Sequence, residues 1–162
     1  MKRIAKIAGD LLTECRQRGF YHFLLMYLSN SFAMLRAFFY KLLYMGNIRS
    51  SVYFLGSRSR IDVFCKKSRI IIKPFVFIRK NVTIRVDYDS EVILDEKVFI
   101  NDSCNINCVK RISIGKYTKI GQNVCIYDHD HNFRGKTADR LLTGEVVIGS
   151  HVWIGSNVVI LR

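Results

Sequence analysis

Two imidazoles and two carboxylates alternate at Asp128, His129, Asp130 and His131, where a long apolar pattern stops. Histidine can take a proton from a hydroxyl near neutral pH, and a carboxylate on its second ring nitrogen fixes the tautomer it needs. Alternation along an extended turn puts His129 and His131 on the same side, so either can serve as the base. Asp128 or Asp130 would orient it. Five cysteines (Cys15, Cys65, Cys104, Cys108 and Cys125) are odd in number and lack a CxxC pair. They are expected to be reduced thiols of a cytoplasmic protein, with Cys65, Cys104 and Cys125 at or beside small inward positions. No Ser or Cys nucleophile motif is present, so the chemistry expected is direct attack of a hydroxyl rather than a covalent enzyme intermediate.

The elements that must position this cluster have a period of six. Aliphatic residues recur at Ile114, Ile120 and Ile126, glycine follows the first two as Gly115 and Gly121, and Thr118 and Val124 sit four places on. Period six is neither helical nor a simple alternation; it predicts a parallel β-helix in which three hexads make one triangular coil. Glycine is expected at corners that need an unusual φ. The pattern extends in both directions: Leu55 and Ile61 in a ragged first coil, Ile72, Ile78 and Ile84, then Leu94, Ile100 and Ile106, and finally Ile148, Ile154 and Ile160. The fold class read from this is mainly β, a left-handed parallel β-helix of hexapeptide repeats with an N-terminal helical segment. Left-handed winding is expected because coils of this period are an exception to right-handed crossovers. Residues 132–147 break the pattern and are expected to leave the prism as a polar loop, a usual place for functional groups.

Before the coils, residues 3–18 predict one helix, Gly19 its breaker, and residues 20–45 a second helix apolar on most of its circumference. Domain boundaries are therefore expected at 1–50 and 51–162. Hydrophobic residues make up 49% of the chain, which argues against disorder. The net charge of +13 lies wholly in residues 1–80, with 16 Lys/Arg and 3 Asp/Glu, whereas residues 81–162 carry 10 of each. Basic residues beside an apolar helix point to an anionic membrane surface, with the protein peripheral on the inner leaflet; packing of the apolar faces on the β-helix or on a neighbouring subunit is the alternative, and a transmembrane span a lesser one. A neutral second half excludes a nucleic-acid groove along the whole molecule.

Residues 94–162 resemble the hexapeptide-repeat O-acetyltransferases, the group that includes galactoside, maltose and polysaccharide-pathway sugar acetyltransferases. The likeness rests on the tandem IGKYTKIGQNV hexads, a histidine closing the run before an extruded loop, and VIGSHVWIGSNVVI after it. It implies acetyl-CoA as acyl donor, a sugar or saccharide acceptor, a homotrimer with sites at subunit contacts, and no resident metal. It also implies His131 as the general base, Asn101 as the oxyanion donor, and Trp153 and Ser156 near the thioester arm; by the residues themselves His129 remains the rival base and Asp130 a carboxylate that could orient it. Two positions depart from the family pattern. Val109 stands where the family has an acceptor-binding aspartate, and the chain ends at Arg162 within the fifth coil, where relatives continue, so the cofactor site is expected to be truncated. A non-catalytic scaffold is the alternative reading; a zinc hydratase like the γ-class carbonic anhydrases, through His129, His131 and His151, is a lesser one.

Overall fold

The computed structural model describes residues 2–133, 135 and 140–162. Helix α1 (Lys2–Arg18) and helix α2 (Phe20–Leu43) meet at Gly19, whose φ of 76° lets the chain turn between them. Five coils of a parallel β-solenoid follow. The first contains β1 (Ile48–Ser50), β2 (Tyr53–Leu55) and β3 (Arg60–Val63); the second β4 (Arg69–Ile72), β5 (Val76–Ile78) and β6 (Thr83–Val86). The third contains β7 (Glu91–Leu94), β8 (Phe99–Ile100) and β9 (Asn105–Cys108); the fourth β10 (Arg111–Ile114), β11 (Lys119–Ile120) and β12 (Cys125–Tyr127). A hairpin of β13 (His129–His131) and β14 (Leu141–Thr143) precedes the fifth coil, β15 (Glu145–Ile148), β16 (Trp153–Ile154) and β17 (Val159–Ile160). Stacking gives three faces, here A (β1-β4-β7-β10-β15), B (β2-β5-β8-β11-β16) and C (β3-β6-β9-β12-β17).

The parallel solenoid and its register are those the period of six predicts. Ile78, Ile100, Ile120 and Ile154 pair in one column, and Ile84, Ile106, Ile126 and Ile160 in another. These side chains fill the interior; Leu55, Ile84, Ile100 and Ile126 are at most 1% exposed. Two boundaries differ from the sequence reading. Ile48 is buried in β1, so the first coil begins inside the segment assigned to the helices. Face A resumes at Glu145, so residues 145–147 belong to the solenoid and not to the loop.

Glycine does a different job from the one expected. The left-handed φ falls on the residue three places after each inward aliphatic: Phe75, Lys97, Tyr117 and His151 on edge A–B, and Arg58, Asn81, Ser103, Asn123 and Asn157 on edge B–C, all near 60°. This conformation costs a non-glycine residue roughly 1–2 kcal/mol. An amide hydrogen bond to the coil below offsets it: Asn81 N donates to Ser57 O, Asn123 N to Asp102 O and Tyr117 N to Glu96 O, at 3.1, 3.1 and 2.9 Å. Gly115 and Gly121 answer instead to close approach. A Cβ on Gly115 would lie 2.6 Å from Gly149 C, and one on Gly121 2.7 Å from Ser156 N.

Helix α2 closes the first end of the solenoid. Ala33 and Ala37 are small enough to bring its axis close, Tyr40 and Tyr44 continue the stripe, and Tyr53 Oη donates to Ala37 O at 3.0 Å. Arg36 and Lys41 add hydrogen bonds to Leu55 O and Ser50 O, both at 2.9 Å.

Gly121→Ala should therefore destabilise the protein by at least about 1 kcal/mol in urea unfolding, since backbone must move. Gly155→Ala, one coil on and with nothing within 4 Å of its added Cβ, should leave the midpoint unchanged or slightly raised. Equal loss in both variants would mean that conformational freedom, not proximity, is what these positions need.

Candidate functional site

Edge C–A is built differently from the other two. Extra residues lengthen it in every coil, and polar side chains satisfy the backbone that the hexad pattern leaves open. Asn47 Nδ2 donates to the carbonyls of Cys65, Lys66 and Ser68, and Ser90 Oγ to Cys108 O. In the fourth coil the same task falls to Asp128, which is fully buried and accepts from Val109 N and Lys110 N, the closest contacts being 2.9 and 2.7 Å. Tyr88 sits exposed in this edge's turn with φ of 55°, and Ser90 is buried beside it.

Asp128 also holds His129. Its Oδ1 lies 3.0 Å from His129 Nδ1, so the carboxylate accepts the Nδ1 proton and Nε2 is left as the basic nitrogen. His129 is 18% exposed. It shares a cavity of about 480 Å³ with the exposed His131, and Arg85, Asp87, Asn107 and Val109 lie around them. Phe64 and Tyr88 add aromatic surface, and the Arg85 guanidinium sits 5.6 Å from the centre of the Phe64 ring.

Register explains this lining. Outward residues of face C stack as Asp62, Arg85, Asn107 and Tyr127, one per coil, directly below the departure of the hairpin. Arg85 Nη2 reaches Asp62 Oδ2 at 3.4 Å. Among the described residues, the buried side-chain atoms without a hydrogen-bond partner include Arg85 Nε and Asn107 Oδ1, and both lie on this cavity. Buried polar groups are normally paired, so these two are exceptions in the wall of the cavity.

Asp130 does not orient an imidazole. Its Oδ2 takes Arg162 Nε at 3.0 Å, because the hairpin pairs Asp130 with Leu142 and turns its side chain from Asp128. Asn101 is not beside the histidines within the chain. It follows β8 on edge B–C, with its Oδ1 accepting from Asp102 N at 2.9 Å. Thirty residues, about one and a half of these coils, separate Asn101 from His131, so within one chain the two fall on different edges. Asn107, one hexad on, occupies the cavity. Its visible signal is an outward position next to Ile106, one coil below the run that ends in the histidines.

Trp153 stands on face B, 70% exposed, and Ser156 Oγ accepts from Gln122 N at 3.2 Å on edge B–C, above Asn101. Those three residues share one side of the prism and the histidines another. His151 stacks on Tyr117 at 5.0 Å on edge A–B, away from His129 and His131. All five cysteines are unpaired; Cys104 and Cys108 are buried, whereas Cys125 is half-exposed on β12. Burial, then the nearby Asp128 carboxylate, push the Cys108 thiol up to about 12, so it is a hydrogen-bond donor to Asp128 and not a nucleophile. Residues 134 and 136–139 of the expected loop lie outside the described residues.

Compared with protein-family models, with curated proteins and with solved structures, the chain has no match.

Asp128→Ala removes the acceptor from two backbone amides and should destabilise the fold by on the order of 3 kcal/mol in urea unfolding. A loss below about 1 kcal/mol would show that the edge closes without it.

Proposed function

We propose that this protein is an O-acetyltransferase that moves an acetyl group from acetyl-CoA to a hydroxyl of a saccharide. The observation that carries the reading is the buried Asp128 on His129 Nδ1 at a cavity where Asn107 Oδ1 and Arg85 Nε lack partners. Arg85, Asp87 and Asn107 supply the donors and acceptors a hydroxylated acceptor needs, and Phe64 or Tyr88 offers a ring for the apolar face of a sugar. His129 Nε2 takes the proton from the acceptor hydroxyl as its oxygen attacks the thioester carbonyl. The tetrahedral adduct then expels the coenzyme thiolate, which recovers that proton from the imidazolium. A positioned base of this kind contributes on the order of 10²–10⁴ in rate.

Asn101, Trp153 and Ser156 support the acyl-donor side if edge B–C of one copy meets edge C–A of another, as in a trimer of three-sided prisms. An amide donor on the oxyanion is worth roughly 3–4 kcal/mol. The separation of Asn101 from His129 within one chain is also what favours the alternative, a scaffold without activity. The basic first half suits work at the cytoplasmic face of a membrane, on a polysaccharide or lipid-linked precursor.

With labelled acetyl-CoA and cell-wall or capsule saccharides as acceptors, His129→Ala should lower turnover at least about a hundredfold, and His131→Ala less than about tenfold. The reverse order would return the base to His131. Asn101→Ala and His129→Ala, each inactive alone, should regain roughly one quarter of wild-type activity when co-assembled, as a composite site predicts. Transfer that never recovers would remove Asn101 from the site, and no transfer by wild type with partner binding intact would favour the scaffold.

A further inference from the structure

The part of α2 before Ala33 does not lie on the solenoid; it overhangs face B. Between them runs a groove of about 700 Å³, of a size that ordinarily holds a small organic ligand. Its floor is an outward column of Phe54, Phe77 and Phe99 in register, the first two stacked 4.1 Å apart. Leu25, Leu28 and Phe32 form the opposite wall, all 46–63% exposed. Arg79, whose Nε also pairs with Asp102 at 3.4 Å, and Lys80 complete the lining.

Charge says what this surface meets. The first two coils, residues 48–86, carry ten Lys/Arg and a single acidic residue, Asp62. Residues 81–162 are neutral overall, so the positive field is confined to the end that bears α2. An apolar helix face beside a basic collar is the combination that binds an anionic bilayer.

Spanning is a poorer use of the helix. α2, at 24 residues with an 18-residue stretch of mean hydropathy 1.2, is long and apolar enough to cross a membrane. From Ala33 on, however, it is held against the first coil by packing and by Arg36 and Lys41. Residues 20–32 give only about 20 Å of free helix, short of the ~30 Å hydrocarbon core.

We propose that α2 and the first two coils dock on an anionic bilayer, and that the groove seats an acyl chain of an anionic phospholipid with Arg79 and Lys80 on its phosphate. The inference rests on the membrane-surface reading and not on acetyl transfer, so neither failing decides the other.

The test uses the full chain in flotation with phosphatidylcholine vesicles, with and without phosphatidylglycerol. Binding should be at least roughly tenfold stronger with the anionic lipid, and Arg79→Glu with Lys80→Glu should remove that gain while the far-UV spectrum is unchanged. Leu25→Glu with Leu28→Glu should abolish binding to both vesicles. A reporter distinguishes groove from surface: with Trp153→Phe, the indole introduced by Phe77→Trp should be quenched by phosphatidylglycerol brominated on its acyl chain. Flotation with an unquenched indole overturns the groove and leaves the docking. Absent flotation, or equal binding to neutral vesicles, overturns both.

Discussion

Coil is tied to coil by an amide that can point downward only because its residue adopts a left-handed φ. That N–H, repeated on edges A–B and B–C, joins each corner to the corner beneath and holds the strands at the spacing of a β-sheet. The interior then follows. Aliphatic side chains stack in columns because their backbones are locked in phase, and glycine appears at positions such as Gly115 and Gly121, where the next coil leaves no room for a Cβ.

The same lock decides what the surface can do. Outward residues in phase become ladders, so each ladder is a fixed set of chemistry one strand spacing apart. Face B carries Phe54, Phe77 and Phe99; face C carries Asp62, Arg85, Asn107 and Tyr127; face A carries Arg69, Glu91, Arg111 and Glu145. Edge C–A is the place where the lock is loosened. Its extra residues leave backbone groups that no corner beneath pairs: Asn47 and Ser90 donate from their side chains to the open carbonyls, and Asp128 accepts from the open amides. A buried carboxylate there already serves two backbone amides, and its neighbour His129 uses a further lone pair of the same group. The structural need for an acceptor and the chemical need for an orienting carboxylate are thus met by one residue.

The core was legible because burial leaves a strict period in the sequence. Ile78, Ile100, Ile120 and Ile154 could be placed in one column by counting. The site was legible only in its centre. Asp128 through His131 announce themselves by interrupting an apolar run, but which carboxylate holds which imidazole depends on the hairpin's pairing, which no spacing encodes. Asn107 stayed hidden because an outward asparagine on a strand looks like surface, and residue counts alone do not say on which edge Asn101 falls, because edge C–A is irregular. The glycine error has a similar origin. Composition reports that a small residue is required, not whether φ or a neighbouring backbone requires it.

Height along the solenoid connects the two ends of the molecule. β3 lies in the first coil and β12 in the fourth, three strand spacings away, which is about 14 Å. If the first coils rest on a bilayer with the solenoid axis upright, the Asp128–His129 pair stands about that far above the first coil, and an acceptor carried on a lipid would have to extend its hydroxyl to the same level. Stacking coils is a means of setting this distance in fixed increments, since an added or deleted coil changes the height by one strand spacing without altering the face that each ladder presents. The basic charge stops where the height begins: ten cations lie in the first two coils, and the half that holds the histidines is neutral. On the proposed reading, a field confined to one end would orient the protein with edge C–A held clear of the membrane, so that the cavity beside His129 stays open to a saccharide.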